Sequence, residues 1–168
     1  MKFSDDDGSG LIGGRLCTAE FEVGGGILDF GASPFGSGRV GYISGGRFTG
    51  PKLSGVVLPG GGNWSRAGKL ASGAGAGTFD ARAVWRTDDD ALISVTYTGR
   101  SVVDDAARAA FAAADKAGVD ADPSLYYIRV AMVFETSARA YDWLNGTLAV
   151  GRGTRTGFGV RHEVFEIG

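Results

Sequence analysis

The chain has 168 residues, with 17 basic and 19 acidic side chains and a formal charge of −2 at pH 7. One domain of that size can bury roughly two-thirds of its extended surface without staples, and a balanced charge with no basic stripe argues against nucleic acid as a partner. The single cysteine, Cys17, rules out an intramolecular disulfide or a cysteine-based zinc site and gives a cytoplasmic reading, with Cys17 itself expected to be a small buried residue.

The first residues carry Asp5, Asp6 and Asp7 where a signal peptide needs an apolar run, so residues 1–10 are read as a flexible terminus. Nothing later is apolar for long enough to cross a membrane. Short strand-like runs then follow at 16–23, 27–30, 39–43, 47–48, 53–58, 79–86, 91–99, 126–135, 147–152 and 159–167, most of them bounded by glycine. Gly50-Pro51 and Pro59-Gly60-Gly61-Gly62 mark corners around the run at 53–58, because glycine supplies positive φ and proline cannot donate to a ladder. Residues 67–77 carry little side chain and are expected to form a flexible hairpin loop. Residues 103–117 are alanine-rich, with Asp104 and Asp105 at the start and Lys116-Ala117-Gly118 at the end, which predicts one helix lying across the sheet or capping a barrel end. The whole is a single all-β domain, an antiparallel β-barrel of about eight to ten strands with one helix.

Period-two alternation sorts the strand residues into faces. In the run at 79–86, Phe79, Ala81, Ala83 and Trp85 oppose Asp80, Arg82, Val84 and Arg86. In 126–135, the apolar set Tyr126, Ile128, Val130, Met132 and Phe134 opposes Tyr127, Arg129, Ala131, Val133 and Glu135. The second, mixed face has the composition of a cavity lining with a few directed polar groups. Asp80, Arg82, Arg129 and Glu135 are therefore the candidate catalytic residues: the arginines would orient a carbonyl or enolate oxygen while a carboxylate moves a proton. The competing explanation is a structural ion-pair network. Arg129 and Glu135 stand about 20 Å apart along one strand, so each needs partners from neighbouring strands.

The segments Ile43 to Gly55, Leu58 to Trp64, Asp80 to Ile93, Tyr127-Ile128-Arg129, Phe134-Glu135-Thr136 and Tyr141 to Asn145, taken in order, resemble the family known as DUF3237 or UPF0311 over roughly residues 11–167. This chain departs from the family pattern at Asn63, where aspartate is usual, and at Asp90, where glycine is usual. The resemblance implies a compact β-barrel with a central cavity, paired into oligomers, of which a homodimer is favoured here, and leaves the activity open. It also keeps Trp143 and Asn145 among the candidates, although Asn145-Gly146 alone reads as a hairpin turn.

Tyr97, Tyr127, Tyr141, Trp64 and Trp143 complete the substrate-binding set, as aromatics able to line a pocket, with core packing as the competing role. Gly8 to Gly13 matches G-x-G-x-x-G but lacks the strand and helix that a dinucleotide site requires. Asp88-Asp89-Asp90 reads as a solvated turn and not a calcium loop. His162, the only histidine, is placed at an ordinary polar position, and no metal site is expected. The functional expectation is a barrel that holds a small, mostly apolar, oxygen-containing metabolite and catalyses a cofactor-independent isomerisation, cyclisation or elimination. Two alternatives stay open: a non-catalytic carrier, and an oligomeric scaffold with a filled interior.

Overall fold

The structure is a computed structural model that describes residues 11–168; the terminus expected to be flexible lies outside the described residues. Nine strands run β1 (Ile12–Ser33), β2 (Gly36–Thr49), β3 (Ser54–Val57), β4 (Gly62–Lys69), β5 (Gly75–Thr87), β6 (Leu92–Val103), β7 (Tyr127–Glu135), β8 (Leu148–Thr156) and β9 (Gly159–Ile167), with α1 (Asp105–Ala117) after β6 and a 3-10 helix (Arg139–Gly146) after β7. Every pairing is antiparallel, and the ladder closes: β1, β9, β8, β7, β6 and β5 are successive neighbours, and β2 returns to β1. Between β5 and β2, β3 bridges one end of the gap and β4 the other. The expected antiparallel barrel with one α-helix is thus the observed fold.

Local chemistry explains where boundaries differ from expectation. The runs at 16–23 and 27–30 are one strand, β1, whose register against β2 shifts at Glu22/Val23, Gly24/Ile27 and Asp29/Ala32, so bulges bend it without ending it. Half of the expected loop at 67–77 is strand. Ala67 to Lys69 belong to β4 and Gly75 to Gly77 to β5, because glycine is needed there for clearance: a Cβ on Gly77 would come within 2.5 Å of Ser101 Oγ. Asn145 lies in the 3-10 helix and makes no hairpin turn. Its Oδ1 accepts from Thr136 N (2.8 Å) and its Nδ2 donates to Thr136 O (2.9 Å), so its side chain ties the helix end to the end of β7.

The core follows the apolar face. Ala81, Ala83 and Trp85 of β5, Ile93, Val95 and Tyr97 of β6, and Val130, Met132 and Phe134 of β7 are all buried in one cluster with Phe21, Phe48 and Val164. Trp85 stacks on Phe48 with centroids 4.4 Å apart, filling the barrel near the 3-10 helix. Cys17 is buried as expected, which pushes its thiol pKa up to about 12. At the other end α1 caps the barrel. The Asp104 side chain accepts from Ala107 N, Gly118 closes the helix in the left-handed region (φ 68°), and Ala107 and Ala114 pack with Ala121 and Tyr126 in a second small core.

Candidate functional site

The two ends of the barrel interior differ. The end near the 3-10 helix is packed with aromatic rings, whereas the α1 end holds an open-mouthed cavity of 470 Å³, within the range of small-molecule sites. Glycines keep that end hollow. A Cβ on Gly99 would collide with the Arg129 carbonyl oxygen and Val130, and one on Gly153 would collide with Ile128 and stand 3.1 Å from His162 Cε1. Phe79, Ile128 and Val160 supply apolar wall, and Phe111 brings one ring from α1.

Polar groups concentrate on this cavity. His162 on β9 is paired with Gly153 on one side and Ala19 on the other, points inward, and is 2% exposed. Its ring meets Phe21 (centroids 5.9 Å) and Tyr97 (5.6 Å) edge-on, and burial pushes its pKa down to about 4, so the imidazole is neutral at pH 7. Tyr97 is 3% exposed, and burial raises its phenol pKa, so it remains a protonated donor. Among the described residues, four buried side-chain atoms lack a hydrogen-bond partner. Three of them, Asn63 Oδ1, Arg155 Nε and His162 Nδ1, belong to residues that line this cavity; the fourth, Trp85 Nε1, belongs to the packed end. Arg155 Nη2 donates to Asp115 on α1 (2.7 Å), and its guanidinium lies over the Phe111 ring, 5.2 Å from the centroid, which fixes its stem while Nε stays unpaired. Arg39, Arg66 and Arg108 complete the rim, and among the described residues no carboxylate lines the cavity.

The structure corrects the assignment of the charged candidates to the cavity. Asp80, Arg82 and Glu135 are exposed on the outer face, and Arg129 is half-buried on that same face, lying 4.7 Å over the exposed Tyr127 ring with Nη1 donating to Ile128 O (2.8 Å). The physical reason is that the uninterrupted apolar set on β7 fills the interior, which forces its neighbours outward. Trp64 is also outward, 47% exposed and edge-on to Tyr42; with Asp80 it lines a separate hollow of 400 Å³ that shares Arg39, Ser65 and Arg66 with the cavity. Tyr141, Trp143 and Asn145 sit at the opposite end of the barrel, where Tyr141 Oη donates to Asp89 (2.8 Å) and Lys52 lies over Trp143. Hydrogen bonds from Thr87 and then Tyr141 hold the Asp89 carboxyl below its usual pKa, and that same bond to Asp89 raises the Tyr141 phenol. Of the ten candidates, only Tyr97 lines the cavity.

His162, expected at an ordinary polar position, is instead buried in the interior, and Asn63 and Arg155, not among the candidates, line the cavity with it. For His162 the signal is parity: Val160, His162 and Val164 share one face of β9, and an apolar set that includes a lone histidine points it into the barrel. Asn63 stands opposite Ala81, itself opposite Tyr97, so its inward direction follows only once the β4–β5 register is known.

Residues 16–167 match the family described as protein of unknown function (DUF3237). Among solved structures, a beta-barrel like protein from Acinetobacter baumannii AYE shares 30% identity at a TM-score of 0.75, covering 94% of this chain and 95% of that one. A conserved protein of unknown function from Rhodopseudomonas palustris shares 25% identity at 0.72, covering 91% and 94%. An enzyme from Penicillium herquei shares 22% identity at 0.60, covering 94% and 96%, a likeness of fold. No curated protein matches the chain.

Proposed function

The chain belongs to the DUF3237 family, and on that premise we propose that its end cavity binds a small, largely apolar, oxygen-containing metabolite on which His162 moves a proton, in a cofactor-independent isomerisation, cyclisation or elimination. The observation that carries this reading is that three of the four buried, unpaired side-chain polar atoms among the described residues, Asn63 Oδ1, Arg155 Nε and His162 Nδ1, belong to residues that line one hollow. Each such buried group costs about 1–3 kcal/mol if left unpaired, and this mixture of acceptor and donor atoms suits a ligand that carries both a hydroxyl donor and an acceptor oxygen.

The chemistry follows from the donor set. The unprotonated imidazole nitrogen accepts a proton from a carbon next to a carbonyl; the C–H electron pair forms the enolate C=C while the carbonyl π pair moves onto oxygen, and the Tyr97 hydroxyl donates to the enolate formed. Where the substrate is a β,γ-unsaturated carbonyl, returning the proton to the γ-carbon of the dienolate completes an isomerisation without net oxidation. An imidazole with a pKa of about 4 is a weak base in the empty cavity, and that observation favours the second reading, non-catalytic carriage. An enolate forming against the ring would raise its basicity in the transition state.

The test is to extract the compound that accompanies the protein through non-denaturing purification, identify it by mass spectrometry and return it to the protein in D2O. Catalysis predicts deuterium uptake or conversion to an isomer, lost in His162→Gln while the compound still raises the melting temperature. Recovery of the compound unchanged and free of deuterium establishes carriage instead.

A further inference from the structure

Charge around the cavity is one-sided. The chain as a whole carries −2, yet Arg39, Arg66, Arg108 and Arg155 all contribute to the lining and, among the described residues, no aspartate or glutamate does. The carboxylates that pair with three of them, Asp29, Asp105 and Asp115, lie outside the lining. Arg66 makes no ion pair among the described residues, and its Nη1 donates to the Phe35 carbonyl oxygen (2.8 Å). Arg39 and Arg155 have inward parity: they stand opposite Ser65 and Val160, which also line the cavity. A concave, partly apolar wall focuses such a field, and guanidinium presents parallel N–H donors that match the two oxygens of a carboxylate. The neutral groups lie deeper, with Tyr97 and His162 between the apolar walls. A hollow of 470 Å³ corresponds to about fifteen water-sized volumes, room for one or two rings.

We propose that the cavity selects an anion, a one- or two-ring carboxylate whose charged group is held by Arg155 and Arg39 at the mouth while its ring lies along Phe79, Ile128 and Val160 toward His162. This rests on the reading of the cavity as a binding site. It adds a substrate class: the carboxylate anchors the molecule, and the ring and any second oxygen are what reach the proton-transfer groups. Because His162 is neutral, it sets no second positive charge against the ring end, so polarity runs from cationic mouth to neutral floor and orients the ligand in one direction.

The experiment titrates the full chain by calorimetry with three probes of matched shape: 1-naphthoate, 1-naphthamide and 1-naphthylmethylammonium. The expected result is that naphthoate binds about tenfold or more tightly than the amide, that the ammonium does not bind, and that added salt weakens naphthoate and leaves the amide unaffected. Arg155→Gln and Arg39→Gln should each cost naphthoate about tenfold while the outward Arg129→Gln costs nothing. Arg39, half-exposed on its strand, keeps the test available if Arg155→Gln fails to fold. Equal or tighter binding of the amide, or indifference to both arginines, overturns anion selection and leaves the cavity a binding site. Failure of all three probes overturns the binding-site reading, and the anion proposal with it.

Discussion

His162 shows how one residue couples stability to the site. Burial lowers its pKa from 6.5 to about 4, so between those values the unfolded chain takes up a proton that the folded chain refuses. Stability is therefore full above pH 6.5 and falls as pH drops toward 4, by about 3 kcal/mol from this group alone. Denaturant melts of the native protein and of His162→Asn across that interval should differ in slope, the variant losing less stability on acidification; parallel curves would show that the ring titrates normally. Arg129 gives the opposite case. Its guanidinium lies over an exposed tyrosine on the outer surface, a contact worth about 0.5–1 kcal/mol. Arg129→Ala should leave ligand affinity and any turnover within about twofold and lower stability by less than about 1 kcal/mol, as read by calorimetry and thermal melts.

Among elements, β6 and β7 define the hollow through what they omit. Gly99 stands opposite Val130, where any side chain would run into the backbone of β7 as well as Phe79. Gly99→Ala should destabilise the fold by about 3 kcal/mol because the obstacle is a carbonyl oxygen that cannot rotate away, and a chemical-denaturation midpoint close to the native one would contradict this account. How far the elements were legible follows from the same physics. Helix α1 is readable because its capping aspartate, alanine content and terminal glycine all agree locally, and β9 because its ends are marked by glycine. The apolar face of β7 was also plain, but a periodicity of two yields two faces and does not say which of them is interior. Composition favoured the mixed face as a lining, whereas the barrel is narrow enough that the apolar face fills it. β4 escaped notice because its sequence, Gly62 to Lys69, has almost no apolar residues; its strand character comes from pairing with β2 and β5, which is tertiary information.

At the scale of the whole molecule, the closed ladder makes two unlike ends. One is plugged by the 3-10 helix, where Tyr141, Asp89, Thr136 and Asn145 satisfy one another, so the family-like motifs there are accounted for by closure of the barrel. The other is capped by α1 through Phe111 and the Arg155–Asp115 pair, and it retains an interior with orphaned polar atoms. A resemblance carried mainly by the plugged end therefore identified the fold and drew attention away from the hollow one. The account predicts that ligand occupancy is felt at the cavity floor and not on the outer face of β5 and β7. The most direct measurement is an NMR titration of the imidazole of His162, whose signals are unambiguous because the chain has one histidine. Saturating 1-naphthoate should shift those signals and raise the ring's pKa above its value of about 4; a ligand that saturates the protein while the imidazole shifts and pKa stay fixed would contradict the claim that this cavity is the site.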